Sequence, residues 1–408
     1  MQTRLADDVS MTPEGQEARE LLGRCVHCGF CTATCPTYQL LGDELDGPRG
    51  RLYLIKQVLE GVAPTAKTQL HLDRCLTCRA CETTCPSGVQ YGRLLDIGRK
   101  LVSDRVPRPA GGRILRSAIK EGVTAPLFPL AMRLGQVIRP LLPSILRDQV
   151  PPREQAGRWP RSRHHRKVLL LAGCVQPAMK PNINAASARV LDALGIETVM
   201  PDAAGCCGAI RHHLDDLDGA LLDARRNIDA WWPQVEAGAE AIVMNASGCG
   251  SMVKEYGHLL QRDPVYAEKA TRISDMTRDL SELVPRHLPE LRTEVGHATG
   301  ERVVFHPPCS LQHGQRIRGA VEALLAALGA EVLSFAEGHL CCGSAGTYSI
   351  LQPTLSRRLR ERKLDALTAA KPDVILSANI GCIAHLGAAS AVPVRHWIEW
   401  VDDRLSRS

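Results

Sequence analysis

Residues 25–36, CVHCGFCTATCP, and residues 75–86, CLTCRACETTCP, place cysteines at Cys25, Cys28, Cys31 and Cys35 and again at Cys75, Cys78, Cys81 and Cys85. Each run follows Cys-x2-Cys-x2-Cys-x3-Cys-Pro, a spacing in which three thiolates wrap one corner of a compact four-iron four-sulfur cube while the fourth serves the neighbouring cluster. The pattern assigns Cys25, Cys28, Cys31 and Cys85 to one 4Fe-4S cluster and Cys75, Cys78, Cys81 and Cys35 to a second, so that each run clamps the other. Structural zinc also uses Cys-x2-Cys pairs, but it takes four ligands and gives no role to a third close cysteine ahead of Cys-Pro, twice over. Cys35 and Cys75 are forty positions apart, and the intervening GRLYLIKQVLEG sets Leu52, Ile55 and Leu59 on one helical face that ends at Gly61. A helical two-cluster module over residues 1–98 follows, which as an isolated segment is expected to carry about eight irons.

Working outward, residues 99–167 contain no cysteine and carry sixteen Lys or Arg against four Asp or Glu, a balance of +12 in a chain whose net charge is +6. This Pro- and Arg-rich stretch reads as a basic linker. Within it PLFPLAMRLGQVIRPLLPSIL, residues 126–146, is apolar apart from Arg133 and Arg139 and a few uncharged polar residues. Leu130, Leu134 and Ile138 could meet lipid while the arginines face anionic headgroups. The alternative is an apolar strap against protein, since Pro126, Pro129, Pro140 and Pro143 break long helices.

Residues 168–408 repeat internally. VLLLAGC ends at Cys174, the pair Cys206–Cys207 follows, and IVMNASGC ends at Cys249; then VVFHPPC ends at Cys309, the pair is Cys341–Cys342, and VILSANIGC ends at Cys382. The lone cysteine precedes its pair by 32 positions in both halves, and the pair precedes the last cysteine by 42 and 40. Short Val, Leu and Ile runs alternate with helical patterns such as NINAASARVLDALG, which predicts α/β units with parallel sheets in 168–290 and 291–408. The whole chain is therefore α+β: a helical ferredoxin-type module, then a duplicated α/β cysteine-rich domain. Loops after parallel strands converge into a crevice, so each half can gather four thiols, enough for a further iron-sulfur or zinc centre; buried hydrophobic thiols are the alternative. Each pair is followed by a glycine that relieves crowding behind it. His306, His313 and His385 lie near these loops as possible ligands, while His164 and His165 sit in a basic run expected to be solvated.

Sixteen cysteines in a chain of 408 residues, clustered in runs and pairs, suit metal chemistry in a reducing cytoplasm rather than a disulfide framework. No charged start leads into an apolar stretch and no apolar run reaches about 18 residues, so neither a secretory leader nor a membrane span is expected. No Gly-x-Gly-x-x-Gly follows a strand, which places flavin or nicotinamide, and with it any catalytic residue, on a partner. Few aromatic residues interleave with the linker's arginines, which argues against a nucleic-acid-binding redox sensor.

The strings CVHCGFCTATCPTYQLLGDELDGPRGR, HLDRCLTCRACETTCPSGV, NIDAWWPQVEAGAEAI, ASGCG, VKEYG, HLCCGSAGTY, ANIGC and VRHWIE resemble the iron-sulfur subunits of bacterial glycolate oxidase, within the wider family of Cys-Cys-Gly (CCG) domains. The resemblance implies an oxidoreductase complex acting on a CH–OH donor. A partner's FAD would oxidise glycolate to glyoxylate beside a second flavoprotein-like subunit, and electrons would leave through this chain to a membrane quinone at the inner face of the cell membrane. Lactate or glycerol 3-phosphate are the alternative substrates. Relatives in the wider family usually end each repeat in Cys-x2-Cys; here Met252 and His385 occupy the fifth position, which argues against the noncubane cluster of heterodisulfide reductase.

Overall fold

A computed structural model describes residues 1–125, 127–143, 147, 150–295 and 300–405. Pro126 and residues 144–146 of the apolar stretch thus lie outside the described residues. The chain forms an N-terminal helical module and two α/β domains, grouped in two compact units. The first comprises Met1–Ala118, His213–Asp215 and His339–Glu361; the second comprises Ile119–His212, Asp216–Gly338 and Arg362–Ser408.

In the first unit the helices Pro13–Gly23, Pro48–Leu59, Ala66–Asp73 and Tyr91–Arg105 enclose a core that includes Leu21, Leu22, Ile55, Leu59, Leu72, Leu94 and Leu95. Leu52, Ile55 and Leu59 do share the inward face of their helix. Proline at the first turn starts that helix where its missing N–H is no loss. Gly98 permits the close crossing of the last helix, for a Cβ there would lie 2.5 Å from Ile55 Cγ1. Helix Tyr91–Arg105 runs through residue 98, and the basic stretch continues into helices Ala110–Thr124 and Phe128–Ile138. Pro129 stands in the first turn of the latter and Pro140 in the 3-10 turn Arg139–Leu141 that follows, so these prolines delimit the helix instead of breaking it. Several of the cations are paired: Arg108 and Arg116 with Asp73, and Lys120 with Asp216.

The second unit holds two four-stranded parallel sheets. Strands β1 (Arg166–Leu170), β2 (Ile196–Val199), β3 (Ala241–Met244) and β4 (Thr277–Asp279) lie in the order β2-β1-β3-β4. Strands β5 (Arg302–His306), β6 (Glu331–Val332), β7 (Val374–Ser377) and β8 (Val394–His396) repeat it as β6-β5-β7-β8. The central strands β3 and β7 are buried at every position, as expected of parallel strands covered on both faces. In each sheet the chain leaves the first strand to one side and returns on the other, which creates a topological switch point between β1 and β3 and another between β5 and β7.

The repeats engage each other through these strand ends. Ser247 N–H donates to Ala378 O at 3.0 Å, and Asn245 O lies 2.9 Å from His396 Nε2. Asp279 with Glu282, and His396 with Glu399, form equivalent capping boxes on helices Leu280–Leu283 and Trp397–Asp402. The second of these helices crosses to the first repeat, where Asp402 accepts from Arg189 and Glu399 from Asn182.

Candidate metal centres

The two cysteine runs adopt the same backbone. His27 and Gly29 in the first, and Thr77 and Arg79 in the second, all have positive φ, which curls each loop around its own thiols. Only one of these four positions is glycine; Arg79 holds its conformation with its guanidinium 3.0 Å from Glu82. Short helices Phe30–Ala33 and Ala80–Thr84 then carry the third cysteine of each run.

Cys25, Cys28, Cys31 and Cys85 line one cavity, with Cys81 also on its wall. Burial, followed by the negative charge of Cys25 with Cys28 and Cys85 adding to it, pushes the Cys31 thiol up to about 11. Cys81 is also raised, first by burial and then by Cys78, Cys75 and, more weakly, Cys35. In both places three thiols of one run therefore meet the fourth of the other. Thiols that raise one another's pKa cannot all ionise unless a cation joins them, which is the electrostatic condition of a metal-binding cradle. The donor set fits an iron-sulfur cluster in each.

The two cradles differ in their surroundings. Cys28 is exposed, as are Val26 and Phe30 beside it, whereas Cys35, Cys75 and Cys81 are buried. Tyr91 donates its hydroxyl to Cys75 Sγ at 3.7 Å, and Thr77 N–H points at the same sulfur from 3.4 Å. Thr37 Oγ1 lies 3.3 Å from Cys35 Sγ and accepts from Arg51, a guanidinium only 1% exposed that also donates to His71 O at 2.7 Å. Asp46 balances this charge, with Arg74 at 2.8 Å and His71 at 3.1 Å completing its partners. Arg99 donates to the carbonyls of Leu72 and Cys75. None of these polar residues was legible as part of the site; the one available signal was an arginine, Arg51, next to the apolar face of GRLYLIKQVLEG.

In the second unit Cys174 follows β1, Cys206 and Cys207 follow β2, and Cys249 lies in helix Ser247–Lys254 after β3. Their thiols form one hydrogen-bonded chain in the order Cys174, Cys206, Cys207, Cys249. The Cys206 thiolate is favoured because Cys174 and then Cys207 donate to it, with Gly208 N–H at 3.4 Å; both donors are correspondingly raised. Asn227 donates to Cys206 O at 2.8 Å, and Tyr256 to Cys207 O at 2.8 Å. Met252, at the fifth position, packs in the hydrophobic core.

The second repeat keeps the same Cys-Cys-Gly turn. Gly343 N–H lies 3.4 Å from Cys341 Sγ, and φ is +90° at Gly343 against +88° at Gly208. A Cβ at Gly343 would meet Ser356 O at 2.6 Å, so the glycine is required for backbone approach as well as conformation. Cys341 and Cys342 belong to the first unit; Cys309 and Cys382 belong to the second. His306 ends β5 fully buried, and burial followed by the charge of Lys363 holds it well below the usual histidine range. His313 is buried near Arg318, and His385 lies in the last turn of helix Ile380–Gly387. His164 is not simply solvated: it is half-buried with Nε2 2.8 Å from Asp192, because the basic run passes alongside helix Asn182–Ala193.

A family model described as a 4Fe-4S dicluster domain matches residues 21–89, and one described as a cysteine-rich domain matches residues 168–254 and 303–387. The chain is 53% identical to the glycolate oxidase iron-sulfur subunit of Escherichia coli (strain K12) over the full length of both. It is 29% identical to the probable glycolate oxidase iron-sulfur subunit of Bacillus subtilis (strain 168), over 91% of this chain and 90% of that one. Lactate utilization protein A of Bacillus licheniformis is 28% identical over 54% of this chain and 90% of its own length.

Proposed function

The chain belongs to the family of glycolate oxidase iron-sulfur subunits, and from that premise we propose that it carries electrons from the FAD of a partner subunit to a quinone-type acceptor. The observation that carries this reading is the pair of crossed four-thiol cradles in one compact unit. Cys25, Cys28, Cys31 and Cys85 hold one 4Fe-4S cluster, and Cys75, Cys78, Cys81 and Cys35 hold the other. When bound, such clusters pass one electron at a time, which suits a relay between a two-electron donor and a membrane carrier. Oxidation of glycolate to glyoxylate releases two electrons and two protons to the partner's flavin, beside a second flavoprotein-like subunit.

The residues of this chain supply position and environment. The exposed Cys28 edge gives the first cradle a face for electron exchange, while Tyr91, Thr77 and Arg51 fix the buried second cradle. Cys174, Cys206, Cys207 and Cys249 hold a further metal centre, supported by their mutual hydrogen bonding at the β1–β3 switch point. Among the described residues no helix is long and apolar enough to cross a membrane. We place the complex at the inner face of the cell membrane by peripheral contact, supported by the exposed apolar side of helix Phe128–Ile138. The likeness to lactate utilization protein A keeps lactate as the second substrate reading.

Anaerobic purification of the chain with its co-eluting partners tests this. About eight irons in the two N-terminal runs, with paramagnetic signals that develop on adding glycolate, are expected. Stoichiometric zinc in those runs and no signal after chemical reduction would overturn the relay; signals that develop with lactate and not glycolate would move the substrate alone.

A further inference from the structure

His306 has neither Nδ1 nor Nε2 hydrogen-bonded among the described residues, and its side chain is 0% exposed. Imidazole carries one donor and one acceptor when neutral, and buried polar atoms are matched almost without exception, so a fully buried ring with both nitrogens unmatched points to a missing partner. One of those nitrogens lies within 4.8 Å of Cys382 Sγ. Two ligands of a tetrahedral zinc, at about 2.1 Å for nitrogen and 2.3 Å for sulfur, stand about 3.6 Å apart, within that range.

The placement is that of a binding crevice. His306 is the last residue of β5, and Ser377, its neighbour in register on β7, donates its hydroxyl to His306 O at 2.9 Å. Cys382 sits in the helix that begins at Ile380, just beyond β7. Imidazole and thiol therefore face each other across the β5–β7 switch point. In the first repeat the position equivalent to His306 is Leu171, buried in the apolar core, so the histidine is not a requirement of the fold.

We propose that His306 is a metal ligand, sharing with Cys382 a centre in the second repeat that is mixed imidazole and thiolate, unlike the all-thiol set of the first. It rests on the reading above only in taking the repeats to bind metal. Neutral imidazole and thiolate together suit zinc or an iron of a cluster, and the metal edge that reports nitrogen identifies which.

The test uses the full chain, purified anaerobically, with metals counted and X-ray absorption recorded at the zinc and iron edges. Variants are His306→Leu, the residue the first repeat carries, His306→Cys, Cys382→Ser, and the double variant Cys206→Ser with Cys207→Ser. The expected result is that His306→Leu and Cys382→Ser each lose imidazole scattering and bind that metal at least about 100-fold more weakly against a chelator. His306→Cys should recover binding with sulfur in place of nitrogen, and the paramagnetic signals of the N-terminal runs should stay as in the parent, which reports that the variants fold. Wild-type metal content and unchanged scattering in His306→Leu would overturn the proposal while leaving a thiol-only centre in place. Absence of any metal beyond the irons of the N-terminal runs, in the parent as in the double variant, would overturn it together with the first-repeat centre.

Discussion

Tyr91 and Arg51 show how much of a redox site lies in residues that carry no metal. The Tyr91 hydroxyl points at Cys75 Sγ, and a hydrogen bond to sulfur stabilises the more negative, reduced state of a cluster. Tyr91→Phe keeps the packing and removes that donor. We expect the potential of the cluster on Cys75 to fall by about 20–60 mV, from a hydrogen bond of about 0.5–1.5 kcal/mol at 59 mV per tenfold change, with the cluster on Cys25 unmoved. Redox titration followed by electron paramagnetic resonance checks it; equal shifts of both clusters, or none, would discard the assignment. The sixteen cysteines were legible because their spacing recurs, in the two runs and again in the two halves of residues 168–408. Tyr91, Thr37 and Arg51 were not, because a hydrogen-bond donor to sulfur can arrive from any helix that packs nearby.

At the scale of elements, the sequence periodicity locates helix Pro48–Leu59 and both sheets, but the basic stretch, whose composition reads as a connection, holds helices. Pro129 and Pro140 sit at the two ends of helix Phe128–Ile138, where a proline costs no hydrogen bond. Helix Phe128–Ile138 is tied down by Gln136, which donates to Ala178 O at 3.2 Å, and exposes Leu130, Leu134 and Val137 on another side, with Leu127 and Leu141 flanking it. Ile138, expected to insert, is less exposed than its neighbours. Residues at this spacing form one stripe, and with Arg133 and Arg139 nearby they match an anionic bilayer surface. Replacing Leu130, Leu134 and Val137 together by serine should abolish flotation of the complex with anionic liposomes at low salt, at a stability cost of about 1 kcal/mol, since the side chains are mostly exposed and serine is a weaker helix former than leucine. Flotation of the triple variant equal to the parent would leave the stripe as a protein-facing strap.

For the whole molecule, the linear partition read from the cysteine spacing and the compact units of the fold diverge at a place that has chemical consequences. The first unit takes in residues up to Ala118 and the returning segment His339–Glu361, from which Tyr348 donates to Arg74 O at 3.1 Å and Arg358 to Leu40 O at 3.2 Å. Sequence patterning could not reveal this, because contacts across some 270 positions leave no local periodicity. A segment ending at residue 98 also cuts helix Tyr91–Arg105 at its middle and deletes Arg99, whose guanidinium holds the carbonyls of Leu72 and Cys75 beside the buried cradle. Leu72 O keeps the Cys75 N–H at 3.1 Å, but Cys75 O would lose its donor, at about 1–3 kcal/mol, in a module small enough for that to be a large share of its stability. The isolated segment 1–98 is therefore expected to hold fewer than the about eight irons of the full chain, and to lose first the signal of the cluster on Cys35, Cys75, Cys78 and Cys81. The cluster on Cys25, Cys28, Cys31 and Cys85 takes only its fourth thiol from the run that Arg99 braces and should survive longer. Iron analysis and low-temperature paramagnetic resonance of the segment beside the full chain decide the matter: two intact signals in the segment would show that the cradles are closed by the cysteine runs alone, and that Arg99 and Tyr348 contribute packing without holding the buried site together.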